Sequence, residues 1–272
     1  MKKLSCVSTI AALISTASMA APLPTATVAG PWVVDFNEHH CIASRQFKVG
    51  DEEYVLALQP YPTKDDTALY LQVPHALDGF DGETARILVG DKRIKESTLF
   101  GEPVVQKGHS KYRSSLTSTE YAEISGASSL TIDSKVARAV FPISQMPDVK
   151  KTLDLCVSQL LESWGLSRDA QARLAVFPKP IGDEKSFFSS SDYPQSAVTS
   201  GAIGDIEAIL NIDDTGKAVG CRLNQESGHK DLDQTTCAIL MRRARYVPAK
   251  DRQGNPMAAP VLLTIVWMLP TD

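Results

Sequence analysis

The residues best suited to metal binding form a short cluster near the start of the chain, Glu38-His39-His40-Cys41. Carboxylate, imidazole and thiolate groups are the usual ligands of zinc. Successive side chains of a strand point to opposite faces, so His39 and Cys41 would share one side and His40 would lie on the other. A single ion could not easily reach all three. We therefore interpret the cluster as a strand end with exposed histidines and expect no metal and no cofactor.

A hydrolase needs a nucleophile beside a base, and Gly108-His109-Ser110 is the nearest approach to that arrangement. The His–Ser pair lies in a polar loop, which is weak support for catalysis. The sequence contains no G-x-S-x-G, H-E-x-x-H, P-loop or G-x-G-x-x-G motif. We expect no catalytic residues, and a hydrolase-like enzyme with its site in the N-terminal domain remains an alternative.

Residues 1–20 have the three parts of an export signal. Two lysines are followed by an apolar stretch, and Ser18-Met19-Ala20 is a small-x-small cleavage site. An uncleaved membrane anchor is the alternative, but six of the 17 residues after Lys3 are Ser or Thr, and a spanning helix needs about 20 mostly apolar residues. We therefore predict cleavage near Ala20 and a periplasmic protein.

The charge balance argues against nucleic acid as a partner. The 272 residues carry a formal net charge of −4, which becomes −6 after cleavage because residues 1–20 hold two lysines and no acid. No basic patch stands out from this acidic background, as a nucleic-acid-binding surface would require.

Four cysteines follow the predicted signal, Cys41, Cys156, Cys221 and Cys237. An even number in an oxidising compartment predicts two disulfides, and four cysteines allow three connectivities. The domain organisation below favours Cys41–Cys156 and Cys221–Cys237.

The pattern along the chain predicts an α+β protein with two domains. Residues 31–165 are expected to form a mostly-β domain of unknown role, closed by an amphipathic helix from Met146 to Trp164. Prolines, glycine and a serine run make residues 166–189 a predicted linker. Residues 190–272 form the second domain.

The order of helices and strands in the second domain can be predicted from its sequence. A short helix after Tyr193-Pro194 precedes a strand through Ile206–Ile212, a hairpin turn and a return strand. A helix starting near Asp231 and a last strand from about Val261 to Leu269 complete it. We expect Val219, Cys221 and Leu223 to face inward from the return strand. We expect Cys237, Leu240, Met241 and Ala244 to form the buried stripe of the helix.

The last strand is apolar on both faces, although a small one-sided sheet should have a polar outer face. One face carries Val261, Leu263, Ile265, Trp267 and Leu269, and the other carries Leu262, Val266 and Met268. Two interpretations stay open. Either the first domain or the linker covers the second face, or the strand is an edge that accepts a partner strand or a second copy of the chain.

An ordered set of short motifs resembles the C-terminal domain of TonB. The set comprises Tyr193-Pro194-x-x-Ala197, Ile212-Asp213-Asp214-x-Gly216-Lys217, Ser227-Gly228, Leu232-Asp233, Arg242-Arg243-Ala244-Arg245-Tyr246-x-Pro248-Ala249, Gly254-Asn255-Pro256 and the terminal apolar strand. The resemblance implies two helices on a three-stranded antiparallel sheet. It also implies that the last strand pairs with the short TonB box of outer-membrane transporters. The candidate partner-binding residues are Val261, Leu262, Leu263, Thr264, Ile265, Val266, Trp267, Tyr193 and Pro194.

The N-terminal half departs from a TonB energy transducer, which needs a retained anchor and a long Pro-rich spacer. Its Trp32 to Phe36, Cys41, Cys156 and Trp164-Gly165 are loosely similar to uncharacterised domains found with TonB-like modules, and this similarity implies no known activity. We therefore expect a periplasmic, non-enzymatic module that binds a protein by strand addition, and the resemblance points to outer-membrane transport as the process. The alternatives are an anchored transducer with an unusual spacer and a homodimer formed through the terminal strands.

Overall fold

The computed structural model describes residues 22–37, 39–75, 82–103 and 108–269. The fold is α+β, with a mostly-strand N-terminal region and few helices. The predicted export signal at residues 1–20 and Glu38, the first residue of the cluster considered for metal binding, lie outside these ranges. Within them, no helix combines the length and apolar character needed to cross a membrane.

The N-terminal region is one large antiparallel sheet. Its strands are β1 (Thr27–Val28), β2 (Val33–Phe36), β3 (Cys41–Val49), β4 (Glu52–Pro60), β5 (Thr67–Val73), β6 (Gly82–Val89), β7 (Lys92–Pro103), β8 (Ser110–Leu116), β9 (Ser129–Asp133) and β10 (Arg138–Pro142). The order is β1-β3-β4-β5-β8-β7-β6-β9-β10, with β2 beside β3. The N–H of Ala26 donates to the carbonyl of Val140 at 2.8 Å, so the segment leading into β1 joins β10 to β3 and closes the sheet.

The described part of this region also contains two helices, α1 (Ser118–Ser125) and α2 (Met146–Ser163). The predicted amphipathic helix is confirmed as α2, with Trp164 as its C-cap. The buried face of α2 packs into the same core as the sheet. Apolar residues recur at helical spacing in α2 and at every second position in the strands, so each element has one apolar face that can be buried. Cys41 is fully buried and is joined to Cys156 of α2, with 6.1 Å between the Cα atoms.

The remaining elements lie in two consecutive segments. Residues 166–192 hold α3 (Arg168–Arg173), β11 (Leu174–Val176), β12 (Lys179–Pro180) and two short 3-10 helices (Glu184–Phe187 and Ser190–Asp192). The C-terminal region holds α4 (Gln195–Ser200), β13 (Gly204–Ile212), β14 (Ala218–Gln225), α5 (Lys230–Arg243), β15 (Tyr246–Val247), β16 (Ala249–Asp251), β17 (Pro256–Met257) and β18 (Ala259–Trp267). Its main sheet has the order β14-β13-β18. Cys221 of β14 is bonded to Cys237 of α5.

The segment predicted to be a linker is attached along the C-terminal region. β11 pairs with β16, and β12 pairs with β15, both antiparallel. Phe187 is buried and its ring lies 6.0 Å from that of Tyr246. We call residues 174–188 the strap.

Two predicted core positions are wrong. Val219 is 60% exposed because a register shift in the β13–β14 ladder places Ala218 opposite Ile212 and turns Val219 outward. Met241 is 37% exposed. The buried stripe of α5 is displaced round the helix and runs through Leu232, Asp233, Thr236, Ile239 and Leu240.

Gly216, in the β13–β14 turn, has a backbone that only glycine readily adopts. Its φ is +85°, and a Cβ there would collide with the carbonyl oxygen of Tyr246. We expect Gly216→Ala to lower the free energy of unfolding by about 2–4 kcal/mol in urea titrations, because strain and steric overlap add. Gly254→Ala is the matched control: its φ is +86°, and no described heavy atom lies within 4 Å of the added Cβ. It should cost only about 1 kcal/mol. Equal costs would show that the contact with Tyr246 is unimportant.

Candidate partner-binding edge

The predicted partner-binding strand lies at the edge of the C-terminal sheet. β18 pairs along its length with β13, from Gly204 opposite Trp267 to Ile212 opposite Ala259. No strand of the described ranges pairs with its other side. β18 therefore has one outer edge with backbone groups that are not used in a sheet ladder, the type of edge to which another strand can be added.

The direction of the outer backbone groups follows from one hydrogen bond. The N–H of Leu262 donates to Oγ1 of Thr63 in the N-terminal region at 3.0 Å, and so points away from β13. Backbone groups of an antiparallel strand alternate between its two neighbours. The N–H groups of Thr264 and Val266 consequently point outward as well. Pro260 falls in the same alternating set, at an edge position where a missing N–H is tolerated.

The two faces of β18 have different surroundings. Val261, Leu263 and Trp267 are buried in the core beneath α4 and α5, and Ile265 packs against that core while half-buried. On the opposite face, Leu262 is half-buried against the core of the N-terminal region.

The same outer face is open farther along the strand. Thr264 is exposed and Val266 is 57% exposed. The first interpretation is therefore confirmed for the beginning of this face, which the N-terminal region covers, whereas its end is uncovered within the described part of the chain. The second interpretation, that the strand accepts a partner, stays a prediction.

A groove of about 400 Å³ runs beside the open part of β18. It is lined by Asp183, Glu184, Lys185, Phe187 and Phe188 of the strap, by Leu240, and by Leu263, Thr264, Ile265 and Val266. The two phenylalanines were missed from the sequence because they lie in a segment interpreted as a linker. Adjacent aromatic residues in a polar, serine-rich stretch were the available signal.

Tyr193 and Pro194 lie on the helix side, at the end of β18. The ring of Tyr193 lies 5.1 Å from that of Trp267 in an edge-to-face contact, and its hydroxyl donates to the carbonyl of Ala202. Pro194 is the N-cap residue of α4. Trp267 is also held by a hydrogen bond of 2.9 Å from its Nε1 to the buried Oγ1 of Thr236. These contacts position Trp267, and neither predicted residue lines the groove.

An ion pair fixes the strap wall of the groove. Both terminal nitrogens of Arg243 donate to the carboxylate of Asp192, at 2.5 and 2.7 Å, and Nη1 also donates to the carbonyl of Phe187 at 3.0 Å. The hydrogen bonds from Arg243 hold the pKa of Asp192 well below its usual range. Arg243 thereby ties the end of α5 to Asp192 and, through the carbonyl of Phe187, to the strap.

Cys41, from the cluster considered for metal binding, and Ser110, from the His–Ser pair considered for hydrolysis, are both engaged in structural bonds. Cys41 is bonded to Cys156, so it is not available as a thiolate ligand. Ser110 is fully buried, and its hydroxyl donates to the carbonyl of His75 at 2.6 Å. The disulfide and this hydrogen bond are structural contacts of Cys41 and Ser110.

Comparison with known proteins identifies the segment that contains the edge. A family model described as Gram-negative bacterial TonB protein C-terminal matches residues 189–269. No curated protein and no solved structure matches the chain. The matched segment begins directly after the strap and contains α4, α5 and all three strands of the β14-β13-β18 sheet.

Proposed function

Since residues 189–269 of this chain belong to the TonB C-terminal domain family, we propose that the protein is a non-enzymatic module that binds another polypeptide by adding a short strand to β18. The unpaired outer edge at Thr264 and Val266 is the observation that carries this proposal. The family assignment favours the periplasm as the location and a segment of an outer-membrane transporter as the partner.

The groove explains how such a strand would be recognised. Main-chain hydrogen bonds to Thr264 and Val266 supply affinity that does not depend on the partner's sequence. Side chains of an added strand alternate between the two faces of the sheet. Those on the helix side would enter the groove beside Phe187 and Phe188, and those on the other face would lie near Val266. An apolar residue on the helix side of the partner is therefore favoured.

Amide hydrogen exchange tests this proposal with a defined probe. Octapeptides are selected on the full chain from a display library, and exchange is measured by NMR with and without the best peptide. We expect the amides of Thr264 and Val266 to become protected on binding. Amides of β14, the opposite edge of the sheet, serve as the internal control and should be unchanged. Protection confined to β14, or absent from both edges, would contradict strand addition at β18.

The same edge could accept a second copy of the chain, and dilution separates the two cases. Sizing across a range of protein concentrations shows whether the free chain is a monomer under the conditions of the exchange measurement. Protection of Thr264 and Val266 that depends on protein concentration, and not on peptide, would favour the homodimer.

A further inference from the structure

We propose that the turn between β4 and β5, residues 61–66, is an intramolecular cap on the partner-binding edge, with the Thr63 hydroxyl in the place that a partner strand's carbonyl would take at Leu262. This inference rests on the proposed function and names a regulation of the same site. We call residues 61–66 the cap turn.

The contact between the cap turn and β18 reproduces one bond of a sheet ladder. Oγ1 of Thr63 accepts the outward N–H of Leu262 at 3.0 Å, across 199 residues of sequence. Thr63 is only 3% exposed, and Pro62 beside it is buried. Any strand added opposite Leu262 would place its own carbonyl oxygen at this position. The cap turn and a partner strand therefore exclude each other at Leu262.

The cap turn is held in shape from its own side. The N–H of Tyr61 donates to the carbonyl of Asp66 at 3.0 Å, and the hydroxyl of Ser115 donates to the carboxylate of Asp66. The guanidinium of Arg113 lies 5.5 Å from the centroid of the Tyr61 ring and 3.7 Å from the Asp66 carboxylate. A turn fixed in this way presents Thr63 without needing to be ordered by β18.

The cap divides the edge into a covered and an open part. A partner that pairs only with Thr264 and Val266 binds without disturbing Thr63. A partner that extends to Leu262 must first displace the hydroxyl, so its apparent affinity is lowered by the fraction of molecules in which the cap is closed. By linkage, such a partner weakens the docking of the N-terminal region on the sheet.

Two substitutions at Thr63 separate the hydroxyl from the shape of the side chain. Thr63→Val keeps the shape and removes the acceptor, whereas Thr63→Ser keeps the acceptor. In the free full chain, we expect the Leu262 amide to exchange about fivefold faster in Thr63→Val than in the wild type, and at an unchanged rate in Thr63→Ser. Equal exchange rates for Leu262 in all three proteins would overturn the cap.

The peptide probe gives the functional result. We expect the selected octapeptide to bind Thr63→Val about fivefold more tightly than the wild type, with protection extending from Val266 to Leu262, and to bind Thr63→Ser like the wild type. Equal affinity and an equal footprint in all three proteins would overturn the cap while leaving strand addition intact. Failure of every protein to protect Thr264 and Val266 would overturn the proposed function and the cap with it.

Discussion

Thr264→Pro is expected to lower the affinity for a strand-adding peptide by at least about tenfold while changing the free energy of unfolding by less than about 1 kcal/mol. Proline removes the outward N–H of Thr264 and places its ring where the partner backbone would lie. The ladder to β13 should survive because it uses the alternate residues of β18. Pro260 already shows that the outward set accommodates proline. Val266→Pro should behave in the same way.

Two control variants make this result specific. Thr264→Val retains the backbone N–H and should bind the peptide like the wild type. Ile265→Pro falls on the inward set, removes a bond to β13 and should destabilise the protein by about 3 kcal/mol. Peptide titration and urea unfolding measure the two effects. Normal binding by a folded Thr264→Pro variant would exclude strand addition at β18.

Replacing the Cys41–Cys156 pair by serine should be the most destabilising change at the disulfides. These cysteines are separated by 115 residues, whereas Cys221 and Cys237 are separated by 16. In the chain-entropy model, the longer loop is worth about 4–5 kcal/mol and the shorter about 3 kcal/mol. Cys41 is also fully buried, so its serine hydroxyl would need a hydrogen-bond partner in an apolar core.

Urea unfolding of the two double variants under non-reducing conditions checks this order. Each double variant leaves the other disulfide in place and so serves as the control for it. The expected result is a larger decrease in the free energy of unfolding for the double variant Cys41→Ser and Cys156→Ser. A larger decrease in the free energy of unfolding for the double variant Cys221→Ser and Cys237→Ser would show that loop length does not set the contribution of each disulfide to stability.

The cap turn connects the N-terminal region to β18 of the C-terminal sheet. A TonB-like module without the N-terminal region would lack this contact. The N-terminal region supplies Thr63 to the edge, and its core packs against Leu262 and Ile209 on the outer face of the sheet. A role for residues 31–165 follows from this contact: they limit which part of β18 a partner reaches. The Thr63 variants are the direct test of that role.

The sequence by itself determined the local elements and the family of the last segment. The pattern along residues 31–165 predicted a mostly-strand region, and helical spacing located α2. The paired cysteines followed from which stripes had to be buried together. The predictions of single elements rest on periods that are written within about ten neighbouring residues.

Tertiary structure alone decided which remote segments meet. The bond from Leu262 to Thr63, the pairing of the strap with β15 and β16, and the outward turn of Val219 left no period in the sequence. Local patterns show which side chains must leave water, but a hydrogen bond between distant segments depends on how whole elements are placed. For that reason the sequence predicted an edge strand, and only the fold showed which half of that edge is open.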